Sequence, residues 1–173
     1  MSDKKEFKNE FSWSFSRHSA FNTCKRKYYY SYYGSWGGWE KDADELSKKL
    51  YMLNKMTSLP MLAGSIVHDE VERTLKALRY GRNADQKRSK ENVIKNFKTS
   101  WAQSKNKDWE ESPKWKTNLF EHYYDKKPTD EELLGFRDLM LNSIDGFFAS
   151  DSYRFIKTMA DTQWLAIEDL DSF

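Results

Sequence analysis

Gly64 and His68 stand four positions apart in the segment LAGSIVHDEVERTL, which has the apolar spacing of a helix. One helical turn would put the small residue beside the imidazole on the same face. An imidazole is a common ligand of divalent metal ions, and the glycine would leave room for an ion next to it. His68 is therefore a candidate metal ligand, and a structural or surface histidine is the alternative interpretation.

A second candidate site is the basic and aromatic segment FSRHSAFNTCKRKYYYSYYGSWGGW, which runs from Phe15 to Trp39. Arginine and lysine bind phosphates and aromatic rings stack on bases, so this composition favours nucleic-acid binding. We assign Arg17, Lys25 and Arg26 as candidate phosphate contacts. In the alternative interpretation the tyrosines pack inward and the basic residues are only solvated.

Charge is distributed unevenly along the 173 residues. Residues 1–116 carry 24 Lys and Arg against 15 Asp and Glu, whereas residues 117–173 carry 5 against 12. The net charge of the whole chain is only +2. A basic face for a polyanion fits this asymmetry, and so do acidic and basic helices that pack together.

Composition also indicates where the protein works. No apolar run approaches the roughly 20 residues of a membrane span, so we expect no membrane segment. A single cysteine cannot form an internal disulfide, and no basic and apolar leader opens the chain. We therefore expect a cytoplasmic protein.

The elements that must position these residues are mainly helices over residues 12–156. The first would begin at Ser14 or Ser16, stop at Gly34, and carry Phe21, Cys24, Tyr28 and Tyr32 on one face. The other predicted helices are Asp42–Leu59, Leu62–Tyr80, one from Asp85 onward, and one that begins with Thr129 and Glu132 in capping-box spacing.

The remaining segments give weaker signals. Residues 163–167 are predicted to form a strand, which is the only one that the pattern indicates. Residues 105–127 form a polar stretch with scattered tryptophans that periodicity does not assign.

The segment SFSRHSAFNTCKRKYYYSYY, with Cys24 and Tyr28, resembles the opening helix of the RecB-like branch of the PD-(D/E)XK nuclease superfamily. That branch, which includes the iron-sulfur exonucleases of CRISPR adaptation, continues with a Gly-x-x-x-His helix, as at Gly64 and His68. A later strand ends in a glutamate, which QWLAIEDLDSF resembles through Glu168. The resemblance covers roughly residues 12–75 and 163–173.

The resemblance implies an α/β fold of restriction-endonuclease type, of which this chain is mainly the α-helical N-terminal portion plus the first core strand. Residues 1–11 would be a flexible N-terminus. Residues 12–173 would be the N-terminal part of the nuclease-like domain, with the catalytic strands missing after Phe173.

The resemblance further implies hydrolysis of phosphodiester bonds in DNA with Mg²⁺ or Mn²⁺, and His68 as a metal ligand. A helicase or another repair or phage-defence protein would be a further partner, of unknown identity. Two non-catalytic alternatives stay open. The chain could be a helical nucleic-acid-binding module, or a protein-interaction module that uses its tryptophans as anchors.

Two departures from the family pattern stand out. Lys25 follows Cys24 where relatives often have proline, and the absence of further cysteines rules out an iron-sulfur cluster ligated by this chain alone. We expect Cys24 to be a small buried apolar group. The family's catalytic Asp and Glu-x-Lys are also missing. The literal Glu-x-Lys at Glu6–Lys8 does not count as this motif, because it precedes the first helix. The catalytic residues are expected C-terminal to Phe173, and the isolated chain is expected to be inactive.

Overall fold

The computed structural model describes residues 8–159 together with Trp164 and Ile167. Helices dominate this part of the chain, which confirms the prediction of a mainly helical protein. None of the described helices is long and apolar enough to cross a membrane. Contacts divide the chain into unit 1, Met1–Met56 with Trp109–Trp115, and unit 2, Thr57–Asp108 with Lys116–Phe173.

Unit 1 is composed of short helical segments that the sequence pattern had joined into longer ones. The predicted helix over Asp42–Leu59 is shorter than expected, since Asp44 caps it and it ends after ten residues. The elements are α1 Phe15–Thr23, α2 Lys25–Tyr29, a π-helical turn Tyr30–Gly34, α3 Glu45–Asn54, and a 3₁₀ turn Asp108–Glu110 that reaches into the unit.

The first predicted helix is wrong in one respect, because it breaks at Cys24. Ser14 caps α1, since its Oγ accepts the N–H of Arg17 at 3.3 Å. Cys24 has extended backbone dihedrals, φ −163° and ψ 109°, and its Sγ accepts the N–H of Lys27 at 3.4 Å. Cys24 therefore ends α1 and caps α2, so the predicted helical face does not continue through it.

Aromatic rings rather than aliphatic side chains form the interior of unit 1. Tyr28 is 8% exposed, and the ring centroids of Phe21 and Tyr32 lie 5.4 and 5.2 Å from its own. In α3 the buried residue is Tyr51, whereas Leu46 on the same helix is exposed. Large rings bury more area than leucine, and their edge-to-face contacts add to this stabilisation.

Unit 2 is built around three long helices that contact one another pairwise. The elements are β1 Met56–Thr57 at the unit boundary, α4 Leu59–Arg79, α5 Gln86–Lys105, β2 Asn118–Leu119, α6 Phe120–Tyr123, α7 Asp130–Ala149 and α8 Asp151–Ile156. The apolar faces of α4, α5 and α7 enclose one cluster of buried residues: Leu59, Leu62, Ala63, Ile66, Val93, Leu119, Met140 and Ile144.

Local sequence signals predicted the starts of two of these helices correctly. Asp85 caps α5 by accepting backbone N–H groups of the first turn. Thr129 and Glu132 form the predicted capping box of α7, in which each side chain accepts the backbone N–H of the other. The third helix, α4, begins at Leu59, three residues before the predicted start. Pro60 is tolerated in its first turn because a missing N–H costs no intrahelical bond there.

A two-stranded parallel sheet formed by β1 and β2 was not predicted. Each strand has two residues, too few for an alternating pattern in the sequence. Ser104 fixes β2, since its Oγ accepts the N–H of Leu119 at 2.9 Å and hydrogen-bonds the Nδ1 of His122 at 2.8 Å. Glu168 and most of the strand predicted at 163–167 lie outside the described residues.

Met140→Ala should lower the free energy of unfolding by about 2–5 kcal/mol, because it removes a fully buried side chain from the core of unit 2. Leu139→Ala, one position away on the same helix and 57% exposed, is the matched control. It should change the free energy by about 0.5 kcal/mol or less. Chemical denaturation followed by circular dichroism measures both, and equal effects would contradict the described orientation of α7.

Candidate metal site and nucleic-acid surface

The predicted Gly-x-x-x-His pair lies within α4, as expected from the sequence. Gly64 and His68 are one turn apart on one side of this 21-residue helix, and the side chain of His68 is 56% exposed. A Cβ atom added at Gly64 would meet no other atom within 4 Å. Packing therefore does not require the glycine, and the space beside the imidazole is open.

Two carboxylates join His68 in a compact group of possible metal ligands. One donor atom from each of His68, Asp69 and Glu72 lies within 4.8 Å of the other two. Neither acidic residue was predicted as a ligand from the sequence. The four-residue spacing of His68 and Glu72 was the available signal, because such pairs meet on a helix surface.

This group fits a divalent cation in part. Carboxylate oxygens suit Mg²⁺ and Mn²⁺, and the imidazole is a better ligand for Mn²⁺ than for Mg²⁺. Three protein donors fill half of an octahedral shell and leave positions for water or a phosphate oxygen. Glu72 already forms an ion pair with Lys76, one turn further along α4, so binding an ion there would have to compete with this pair.

Glu70, in the same acidic run, has a structural role instead. It is 2% exposed, and Arg73 donates through Nε to Oε2 at 2.8 Å and through Nη2 to Oε1. The Nδ2 of Asn92 lies 3.5 Å from both carboxylate oxygens. The hydrogen bonds that Arg73 donates to Glu70 raise the pKa of the Arg73 guanidinium above its ordinary value. Glu70 is therefore a buried carboxylate paired with a half-exposed arginine, and it is not presented with His68.

The three predicted phosphate contacts lie at the start of unit 1 but differ in their surroundings. Lys25 and Arg26 are exposed at the beginning of α2. Arg17 is half-buried, with its guanidinium 4.4 Å from the ring centroid of Tyr32 and a hydrogen bond of 3.0 Å to the carbonyl of Ser12. Lys25 and Arg26 are thus the better placed of the three to reach a phosphate.

Cys24 is exposed, so the expectation of a buried apolar thiol is wrong. Its role as the cap of α2 explains the exposure, because a cap must stand at the helix end where backbone N–H groups point outward. Hydrogen bonds from the N–H groups of Lys27 and then Arg26 lower the pKa of the Cys24 thiol below its ordinary value.

Alkylation of Cys24 should therefore reach half its maximal rate at a lower pH in the folded chain than in the unfolded chain. The folded thiolate is stabilised by the helix N–H groups, and denaturation removes them. Iodoacetamide labelling across a pH series, with and without concentrated guanidinium chloride, measures the difference. Identical pH profiles in the two states would show that the cap does not stabilise the thiolate.

Within residues 8–159, no strand carries an acid-x-Lys sequence. Two such sequences occur there, at Asp85–Lys87 and Asp125–Lys127. Asp85 caps α5 through its side chain, and Asp125 has a positive φ of 50° in a turn after α6. Neither has the strand setting of a catalytic pair, and part of the Glu6–Lys8 match lies outside the described residues.

A family model described as the PD-(D/E)XK nuclease superfamily matches residues 12–148. The matched region includes α1 to α3 and the Gly64 and His68 motif, and it continues through α5 and most of α7, which the sequence resemblance did not cover. No curated protein and no solved structure matches the chain. Since the match spans well over half of the residues, the chain belongs to the PD-(D/E)XK nuclease superfamily.

Proposed function

We propose that this chain forms the helical part of a metal-dependent DNA nuclease, of the RecB-like branch, that hydrolyses phosphodiester bonds in the cytoplasm. The observation that carries the proposal is the group of His68, Asp69 and Glu72 inside the region of the family match. Nucleases of this superfamily generally use Mg²⁺ or Mn²⁺. The donor set on α4 has the chemistry to contribute to such a site.

His68, Asp69 and Glu72 would hold the cation on the exposed face of α4. When bound, a divalent cation neutralises the phosphate and lowers the pKa of a coordinated water. Gly64 would keep the adjacent surface open to the phosphate, because it has no side chain to obstruct it. The release of Lys76 from Glu72 would leave the Glu72 carboxylate for the metal ion and the Lys76 ammonium group for a DNA phosphate.

The acidic and lysine residues that complete the catalytic set would come from outside the described residues, in a segment beyond Phe173. Three donors on one helix hold an ion weakly, and no described strand supplies an acid-x-Lys pair to orient the attacking water. We therefore propose that residues 1–173 alone bind DNA and metal without cleaving DNA.

DNA binding would be largely independent of sequence, with Lys25 and Arg26 on phosphates and Arg17 holding the local structure. The two exposed residues lie on α2 just before Tyr28, and the packing of aromatic rings around Tyr28 fixes the helix that carries them. Contacts to phosphates release counterions, so the affinity should fall steeply with salt.

Mn²⁺ binding to residues 1–173 should weaken by at least about tenfold in each of His68→Ala, Asp69→Asn and Glu72→Gln. Even changes to residues that only support a metal ligand have an effect of about this size. Each substitution removes one of three donors from the group on α4. Isothermal titration calorimetry measures the affinity. His18→Ala, which removes an exposed histidine of unit 1, is the matched control. Unchanged Mn²⁺ binding by all three variants would contradict the metal role.

A version of the protein extended beyond Phe173 through an Asp and a Glu-x-Lys strand should cleave DNA with Mg²⁺ or Mn²⁺, whereas residues 1–173 should not. In the extended protein, His68→Ala should reduce the cleavage rate far more than DNA affinity, because the basic surface of unit 1 is unchanged. Gel-based cleavage and fluorescence anisotropy measure the two quantities. Robust metal-dependent cleavage by residues 1–173, or indifference of the extended protein to His68→Ala, would contradict the proposal.

Lys25→Ala combined with Arg26→Ala should weaken binding to duplex DNA and reduce the slope of log affinity against log salt by about two, one for each lost phosphate contact. A titration from about 50 to 200 mM salt gives the slope. Lys157→Ala, at an exposed position in the acidic part of the chain, is the control and should change neither quantity. If the double variant and the unchanged chain have the same salt slope, the phosphate contacts are made by other residues.

A further inference from the structure

Unit 1 contains a cleft of about 810 Å³ that is separate from the basic start of α2. The turn at residues 36–40, one side of α3 and the segment 110–115 line it, and we call it the tryptophan cleft. Its volume lies in the range of roughly 300–1,000 Å³ that is typical of ligand sites. None of the residues considered above as DNA or metal contacts lines this cleft.

Aromatic rings form the walls of the tryptophan cleft. The rings of Trp36 and Trp39 meet edge to face with centroids 5.0 Å apart, and Trp39 meets Tyr51 in the same way at 5.7 Å. Trp115, from the other segment, is 76% exposed, and both Trp36 and Trp39 keep about two fifths of their area exposed. Large flat surfaces are thus available for stacking inside a concave site.

Two glycines explain why these rings are held in place. Gly37 adopts a positive φ of 75°, which side chains rarely allow. A Cβ atom at Gly38 would lie 2.6 Å from the Cβ of Tyr51 and still closer to the carbonyl oxygen of Ser47, so only glycine lets the turn pack on α3. The sequence WGGW therefore builds a preformed wall rather than a flexible linker.

Charges around the tryptophan cleft favour a ligand that combines flat rings with phosphates. Lys48 and Lys49 line it from α3, and Lys55 and Lys114 lie over the rings of Tyr51 and Trp115 at 5.3 and 4.6 Å. Four lysines would repel a cationic ligand, but they can bind phosphates on either side of a stacked base. The three glutamates of the lining can accept hydrogen bonds from the amino groups of a base.

We propose that the tryptophan cleft binds an unpaired base of single-stranded DNA. This inference rests on the proposed function and adds to it a preference for substrates with a single-stranded segment. A base in a duplex is stacked between its neighbours and cannot enter such a cleft, whereas an unpaired base can stack on Trp115 or on the Trp36 wall. The lysines then hold the phosphates of the same strand.

The test uses residues 1–173 in EDTA and a fluorescent oligothymidylate of about 12 nucleotides, with a duplex of equal length for comparison. Trp115→Ala and Trp36→Ala should each weaken single-strand binding by about five- to hundredfold, the range for loss of one stacked base, and should leave duplex binding nearly unchanged. Trp115→Phe should retain most of the affinity because it keeps an aromatic face. Tyr80→Ala, at an exposed aromatic residue of unit 2, is the matched control and should have no effect.

Circular dichroism of each variant shows whether the fold survives, and Trp115, being largely exposed, is the substitution least able to perturb it. Unchanged single-strand affinity in both tryptophan variants, or an equal loss for single strand and duplex, would overturn the inference. Because EDTA prevents metal-dependent cleavage, neither result bears on catalysis. An extended protein that binds through the tryptophan cleft but never cleaves DNA would instead overturn the proposed nuclease function.

Discussion

The burial of one face of α4 against α5 and α7 is the constraint on which the candidate metal group depends. Ile66 and Glu70 are buried on this face, so helical geometry forces Gly64, His68 and Glu72 toward the exposed side. The core thus sets which side chains of α4 can meet an ion. A helix free to rotate would hold these donors less firmly.

The pairing of Glu70 with Arg73 allows the buried face of α4 to contain a carboxylate. Arg73 lies three residues further along the same helix and is half exposed, and it compensates the charge of Glu70, which would be costly in the interior without a partner. The pair also separates two functions within one acidic run. Glu70 is engaged by the fold, whereas Asp69 and Glu72 stay at the surface beside His68.

Unit 1 uses its many rings in two ways that composition alone does not distinguish. Rings around Tyr28 pack against one another and support the start of α2, where Lys25 and Arg26 are exposed. The three tryptophans of the cleft keep 40% or more of their area exposed, and Gly38 lets the turn that carries Trp36 and Trp39 pack tightly onto α3. Stacking surfaces held by such close packing are preformed, which reduces the entropy cost of binding.

The sequence by itself determined the features that depend on neighbours within one helical turn. The capping box of Thr129 and Glu132, the start of α5 near Asp85 and the alignment of Gly64 with His68 follow from local spacing, and all are present in the structure. Only the tertiary structure decided the exposure of Cys24, because a continuous helix and a broken one have the same apolar spacing there.

Tertiary structure also decided which residues distant in the chain share a site. The segment 110–115 and the turn at 36–40 line one cleft although some 70 positions separate them, and the two-residue strands pair over a similar distance. No periodic pattern records such contacts, since they depend on how whole elements pack and how much apolar area the packing buries. The sequence therefore predicted the long helices of unit 2 and the Gly64 and His68 motif, whereas packing selected the face of each helix that is exposed.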